Sequence, residues 1–155
     1  MLIIPDGYYG SIGESENLDK LLTWIDKGGK VIAFENAIRI FSSTDDFSVK
    51  IKNYIDFVEE DFNYKDTKRN SIQYSISGAI FKVNIDNTHP IAFGYDKQYY
   101  SLKTSSLTFE KLNEGFNVGS ISEIENSIIG FVGNKIKRKF DDSRVFGHDT
   151  YGDGN

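Results

Sequence analysis

The chain has no cysteine, and that single absence removes thiolate nucleophiles, disulfides and cysteine-ligated zinc together. It does not fix the compartment, because a core of sufficient size needs no bridge in either an oxidising or a reducing space. Histidine is nearly absent too, at two residues. Neither opens a His-x-x-Glu pair, since Ala92 follows His89 by three and Tyr151 follows His148 by three. Positive charge is also short, with 18 basic against 23 acidic side chains and a net of −5. A field of that sign does not attract phosphate backbones, so nucleic acid is not an expected partner. No apolar run approaches the roughly 20 residues of a membrane helix. The opening Met1-Leu2-Ile3-Ile4-Pro5-Asp6 lacks the basic start and long apolar stretch of a signal peptide.

What is present fits a globular chain of one domain's length: 155 residues, 39% hydrophobic and 26% charged. Leu2-Ile3-Ile4 is a continuous apolar run, as expected of a strand buried on both faces of a parallel sheet, and Pro5-Asp6-Gly7 ends it. A helix should follow, with Ser15 as N-cap, Glu16 and Asp19 near its start and Lys27 in its last turn. Leu18, Leu21, Leu22 and Ile25 form one apolar stripe, and Gly28-Gly29 stops the helix. Val31-Ile32-Ala33-Phe34 then reads as a second buried strand, which completes a βαβ unit.

The 3.6-residue spacing of Phe47, Ile51, Tyr54, Ile55, Val58 and Phe62 predicts a second helix from Asp45 to Glu60. Beyond Ser71 the period changes. Phe81, Val83 and Ile85 alternate with Lys82, Asn84 and Asp86, a half-exposed strand followed by a turn at Asp86–Pro90. Further strands are expected at Gln98–Leu102, Ser106–Leu112, Ser127–Val132 and Arg144–Phe146, turns at Asn113–Gly115 and Gly119-Ser120, and a short helix at Asn134–Phe140. The chain opens on a strand and closes on the turn-like Gly152-Asp153-Gly154-Asn155, so the expectation is a piece of a longer protein, domain 1–155, incomplete at both ends.

Motifs for chemistry are sparse. Asp86-x-x-His89 has metal-ligand residue types but falls on a turn where aspartate is a turn former. Gly130–Lys135 lacks the Gly-Lys-Ser/Thr ending of a phosphate loop. Lys135, Lys137, Arg138 and Lys139 read as a solvated helix face, and Asp149, Asp153 and Asn155 lack the spacing and the glutamate of a calcium loop. Topology offers more. Ligands of open parallel sheets bind beyond the carboxyl ends of the strands, where this chain has Asp6, Tyr8 and Tyr9 after one strand and Glu35 and Asn36 after the other. Asp6, Tyr8, Glu35 and Asn36 are therefore the candidate binding residues. The alternative is that Asp6 and Glu35 cap turns and the tyrosines pack loops. No acid/base pair can be assigned, and no residue is singled out as catalytic.

Several segments are familiar. "LIIPDGYYG" and "SENLDKLLTWIDKGGKVIAFENA" resemble the class I glutamine amidotransferase-like fold, a flavodoxin-like three-layer α/β sandwich. Adding "SGAIFKVNIDNTHPIAFGY", "GFNVG", "IIGFVGNK" and "VFGHDTYGDGN", the chain resembles the amidotransferase-like domain that lies C-terminal to the catalytic domain in bacterial zinc carboxypeptidases of the carboxypeptidase A type. The resemblance implies a secreted or periplasmic parent metallopeptidase, whose zinc and catalytic domain lie upstream. It implies no cofactor in this chain and a partner in the upstream peptidase domain. The family's zinc ligands have no counterpart here. True glutaminases carry a nucleophilic cysteine on the elbow after the strand matching Val31–Phe34, where this chain reads Phe34-Glu35-Asn36-Ala37; Phe146-Gly147-His148-Asp149 only faintly matches their His-Pro-Glu segment. The resulting expectation is a non-catalytic accessory domain that supports the peptidase or positions its peptide substrate. The alternatives are a stand-alone glycan- or peptide-binding module, and a hydrolase using Asp6 or Glu35 as general base. A bare sheet edge at Leu2–Ile4 would further favour a homodimer.

Overall fold

A computed structural model describes residues 1–53, 64–122 and 129–155, and it is a mixed α/β structure. The chain divides into two compact units: Met1–Ile51 with Leu112–Phe116 and Gly147–Asn155, and Lys52–Lys111 with Asn117–Phe146.

The first unit contains the βαβ element. Strand β1 (Leu2–Ile4) pairs in parallel with β2 (Val31–Ala33), Ile3 opposite Ile32, and helix α1 (Ser15–Asp26) connects them. The stripe on α1 behaves as its spacing predicts: Ile25 is buried, and Leu18 and Leu21 pack on a core of Ile4, Ile25, Ala37, Ile40 and Phe41. Two details differ. Glu14, not Ser15, is the N-cap, in extended backbone, and its carbonyl accepts from Leu18 N at 2.9 Å, while Lys27 lies past the last turn as the C-cap. Gly28 takes φ +91, the left-handed conformation that closes the helix at low steric cost.

Burial of β1 on both faces is corrected. Ile4 is buried, but Ile3, Ile32 and Phe34 are 53%, 43% and 51% exposed, because α1 covers one face of the pair only.

The chain turns helical at once after β2, as a 3-10 turn at Glu35–Ile38 and the short helix α2 (Arg39–Ser42). The expected helix from Asp45 is therefore replaced, over its described part, by bends and extended chain; its remainder lies outside the described residues. The reason is that these residues find partners elsewhere. Phe47 turns back edge-on to Phe41, with centroids 5.3 Å apart, and Ser48 N donates to Asp149 Oδ2 at 3.0 Å, where a helix would need Thr44 O. The C-terminal segment clips onto the end of α1: Asp153 N donates to Asp26 O at 3.0 Å, Asn155 N to Gly29 O at 3.1 Å, and Val31 N to Asn155 O at 2.7 Å. Asn155 thereby lies against β2 as a further parallel rung.

The second unit is built on an antiparallel sheet, which departs from a single parallel sheet. Strands β3 (Ile76–Ile85), β4 (Gln98–Lys103), β5 (Phe116–Ile121), β6 (Ile129–Val132) and β7 (Ser143–His148) are ordered β4-β3-β5-β7, with β6 also on β3. Helices α3 (Thr67–Gln73) and α4 (Asn134–Phe140) accompany it. The alternation in β3 is as expected: Ala79, Phe81, Val83 and Ile85 are buried with Val118, Ile121, Ile136 and Phe140. Phe81 and Phe140 stack at 4.9 Å.

The expected strand Ser106–Leu112 is not among the strands of the described residues; Phe109 makes an isolated bridge to Arg144, although Leu107, Thr108, Phe109 and Leu112 are buried. The expected turn at Gly119-Ser120 is instead the middle of β5. Gly119 is there because a Cβ would meet the Phe146 ring; the glycine serves close packing rather than a turn. The strand expected from Ser127 is observed from Ile129, its first residues lying outside those described. Among the described residues no helix is long and apolar enough to cross a membrane.

Candidate functional site

Parallel pairing of β1 and β2 sets Ile4 beside Ala33, so the residues that follow each strand emerge at one end of the sheet. Asp6 and Asn36 meet there across the fold. Asp6 Oδ1 accepts from Asn36 N at 3.0 Å and from Asn36 Nδ2 at 3.1 Å. The amide is oriented in turn by Arg39, whose Nε donates to Asn36 Oδ1 at 3.1 Å. The result is a chain of donors, guanidinium to amide to carboxylate, that fixes the Asp6 side chain and directs positive charge toward it. Arg39 was not singled out in the sequence. Its signal was the three-residue spacing from Asn36, which places both on one side of a helical turn.

Glu35 opens the 3-10 turn directly after Phe34, at φ +46. That conformation is costly for a residue with a Cβ, on the order of 1–3 kcal/mol, and its usual homes are functional turns. The strained residue stands at the turn from strand into helix, and its side chain is half-buried. Tyr8 is 82% exposed and takes part in none of these bonds, whereas Tyr9 packs on the unit's core. Of the four candidates the structure thus joins Asp6 to Asn36, holds Glu35 next to Asn36 in a strained turn, and leaves Tyr8 in solvent. Chemically the cluster is a hydrogen-bonding surface. It offers carboxylate acceptors, which suit hydroxyl or amide donors.

The other motifs are absorbed locally. Asp86 Oδ1 accepts from Thr88 N at 3.1 Å and from Thr88 Oγ1 at 2.6 Å, closing a turn. These bonds, the Thr88 hydroxyl first, hold the exposed Asp86 carboxyl below its ordinary range. His89 Nδ1 accepts from Ile91 N at 3.2 Å and caps a 3-10 turn at Pro90–Ala92. His148 lies parallel to Phe116 with centroids 5.9 Å apart, its Nε2 2.6 Å from Asn155 Nδ2. Asp149, weighed as part of a calcium loop, receives Ser48 N, Ser48 Oγ and Thr150 N. Lys135 lies over the Tyr74 ring and Lys139 donates to Ser106 O, so these two basic side chains of α4 are engaged with their own unit, while Arg138 is exposed. Among the described residues no three His, Asp or Glu side chains converge as metal ligands.

No family model matches the chain, and no match is found among curated proteins or solved structures.

Proposed function

We propose that this chain is a non-catalytic accessory domain of a bacterial zinc metallocarboxypeptidase, with an amidotransferase-like, flavodoxin-related plan, and that it docks against the peptidase domain of the same polypeptide. Zinc and hydrolysis belong to that domain, and the parent acts in the periplasm or outside the cell. The observation that carries the reading is the bare apolar face of the parallel pair, where Ile3, Ile32 and Phe34 are each about half exposed. Parallel strands occur almost only with both faces covered, so a partner surface is the natural occupant of this one. Glu35 at the elbow and the lack of any cysteine support it further, since a carboxylate there cannot do thiolate acyl transfer.

The test is release of C-terminal amino acids from peptides by the isolated chain, with zinc measured by elemental analysis. No release above background is expected; zinc-dependent release by this chain alone overturns the proposal. A second reading is favoured by the Arg39–Asn36–Asp6 chain at the strand ends, together with an exposed Tyr8: a glycan- or peptide-binding module. It expects binding on a glycan or peptide array that Tyr8→Ala and Glu35→Ala reduce at least tenfold, a loss of about 1.4 kcal/mol. Unchanged binding by both variants removes it.

A further inference from the structure

Helix α3 continues a 3-10 turn at Tyr64–Asp66, and the run carries cations where a helix normally carries its buried face. Lys65, Lys68, Arg69 and Ile72 stand at i, i+3, i+4 and i+7, one stripe about 100° wide. All four are exposed, Ile72 at 54%. Asp66, the one acid of the run, falls off the stripe. Among the described residues the side chains of Lys65, Lys68 and Arg69 make no ion pair or hydrogen bond. Lys65 and Arg69 are like charges one turn apart, which repel. A helix of seven residues is marginal in water and takes its order from packing, yet none of the described side chains of α3 is buried.

The C-terminal end of α3 is anchored to the start of α4. Gly133 N donates to Ser75 O at 3.0 Å, and a Cβ on Gly133 would run into the carbonyl oxygens of Ile72 and Gln73. On α4, Ile136 and Phe140 face the core, which turns Arg138, two residues from each, outward. Arg138 is exposed, and among the described residues neither its side chain nor that of Lys137 has a partner. Lys135 and Lys139 have partners within the unit and are not counted. Each helix is about 10 Å long, so the five remaining cations lie within about 25 Å of one another. At physiological salt a charge is felt over about 8 Å, so this surface is positive although the chain as a whole has a net charge of −5.

We propose that this surface docks on an anionic phospholipid membrane. Its grounds are α3 and α4 alone, independent of the accessory-domain reading. Five cations without a countercharge call for an anionic occupant, and Ile72 decides which one. On the stripe Ile72 lies between Lys68 and Arg69. It offers an aliphatic side chain to the acyl boundary, while the stems of the cations run beside it and their charged ends reach the headgroup phosphates. The phosphodiester backbone of a nucleic acid gives such a side chain no apolar contact. A membrane surface also supplies α3 with the covered face that it lacks.

The experiment is flotation of the full chain with vesicles of equal phosphatidylglycerol and phosphatidylcholine, or of phosphatidylcholine alone, at about 0.05 and about 0.5 M salt. Binding to the anionic vesicles at low salt is expected, and at least roughly tenfold weaker binding to neutral vesicles or at high salt. A cation beside an anionic membrane is worth about fivefold in affinity, so Lys68→Glu combined with Arg69→Glu should weaken binding about 25-fold or more. Ile72→Ser should weaken it by about threefold or more. Lys27→Glu combined with Lys50→Glu makes the same change in net charge at exposed cations of the first unit, and should stay within about twofold of the unaltered chain. Circular dichroism checks the folding of each variant. Absence of binding, equal binding to neutral vesicles, equal loss from the two double variants, or unchanged binding by Ile72→Ser overturns the proposal. So does tighter binding to a short duplex DNA or to polyglutamate than to the anionic vesicles at the same salt.

Discussion

The two units contain sheets of opposite kinds, and they solve the problem of holding strands in opposite ways. In the larger unit, β3 is ten residues long and antiparallel to β4, β5 and β6, so its ladder and its alternating buried side chains hold one another in register. In the smaller unit, β1 and β2 have three residues each and run parallel, an arrangement too short to be stable alone. Its order comes from outside the sheet, from α1 on one face and from the C-terminal clip at Asn155. The larger sheet is therefore held by its own ladder and apolar centre, and the short parallel pair by the core it shares with α1 and by close backbone approaches.

Core truncation gives the largest effects and tests that division first. Phe81→Ala removes a fully buried ring stacked on Phe140 and should lower stability by about 3–5 kcal/mol, read by urea unfolding and by lost exchange protection along β3. Ile25→Ala should cost about 2–4 kcal/mol, read at the amides of α1 and β2. A Phe81→Ala protein within about 1 kcal/mol of wild type would mean that the stacked pair is not the centre of its unit.

The clip gives the next effect. A Cβ on Gly154 would run into the carbonyl oxygen of Ile25, so Gly154→Ala should cost about 1–3 kcal/mol and expose the end of α1 to exchange. A neutral Gly154→Ala would place the stability of the short parallel pair in α1 alone. Smaller still is Asp6→Ala, which removes two exposed hydrogen bonds to Asn36 and should cost about 1 kcal/mol. Its companion Tyr8→Ala should stay within about 0.5 kcal/mol, because that side chain is 82% exposed.

The same contrast explains what the sequence made legible. Local periodicity revealed β3, β4, α4 and the βαβ opening, since each of these forms by patterns within a dozen or so residues. It failed where a residue's partner lies far along the chain. Phe47 and Ile51 keep a helical spacing, yet Ser48 between them is bonded to Asp149, and no local pattern records that. Gly119-Ser120 has the composition of a turn, but its glycine answers to the Phe146 ring. At the strand ends, topology correctly brought Asp6 and Asn36 together. Arg39 and the strain at Glu35 became visible only once the helical turn directly after β2 was known. The bare face of Ile3 and Ile32 could not be read either, because a continuous apolar run looks the same whether one or both faces are covered.

The smallest effects come from pH, and they should separate the units by sign. In the larger unit the Asp86 carboxyl is held below its ordinary value, chiefly by the Thr88 hydroxyl and then by the Thr88 N–H, with His89 adding to it. A lowered carboxyl favours the folded state above its unfolded pKa of about 3.9, and that contribution is lost as pH falls through the folded value. In the smaller unit the Tyr151 phenol is raised, first by the negative charge of Asp46 and then by burial, a hydrogen bond to Asp46 and the charge of Asp26. A raised phenol favours the folded state below its unfolded pKa of about 10, and loses that contribution as pH climbs through the folded value. Acid should thus loosen the Asp86–Pro90 turn first, and alkali the clip that carries Tyr151. Exchange measured at the two segments across both limits checks this. Asp86→Asn should abolish the acid response without touching the alkaline one, and Asp46→Asn should bring the ultraviolet titration of Tyr151 back toward the ordinary phenol. If Asp46→Asn leaves that titration where it was, the cause assigned to Tyr151 is wrong, and the clip is held by its backbone bonds alone.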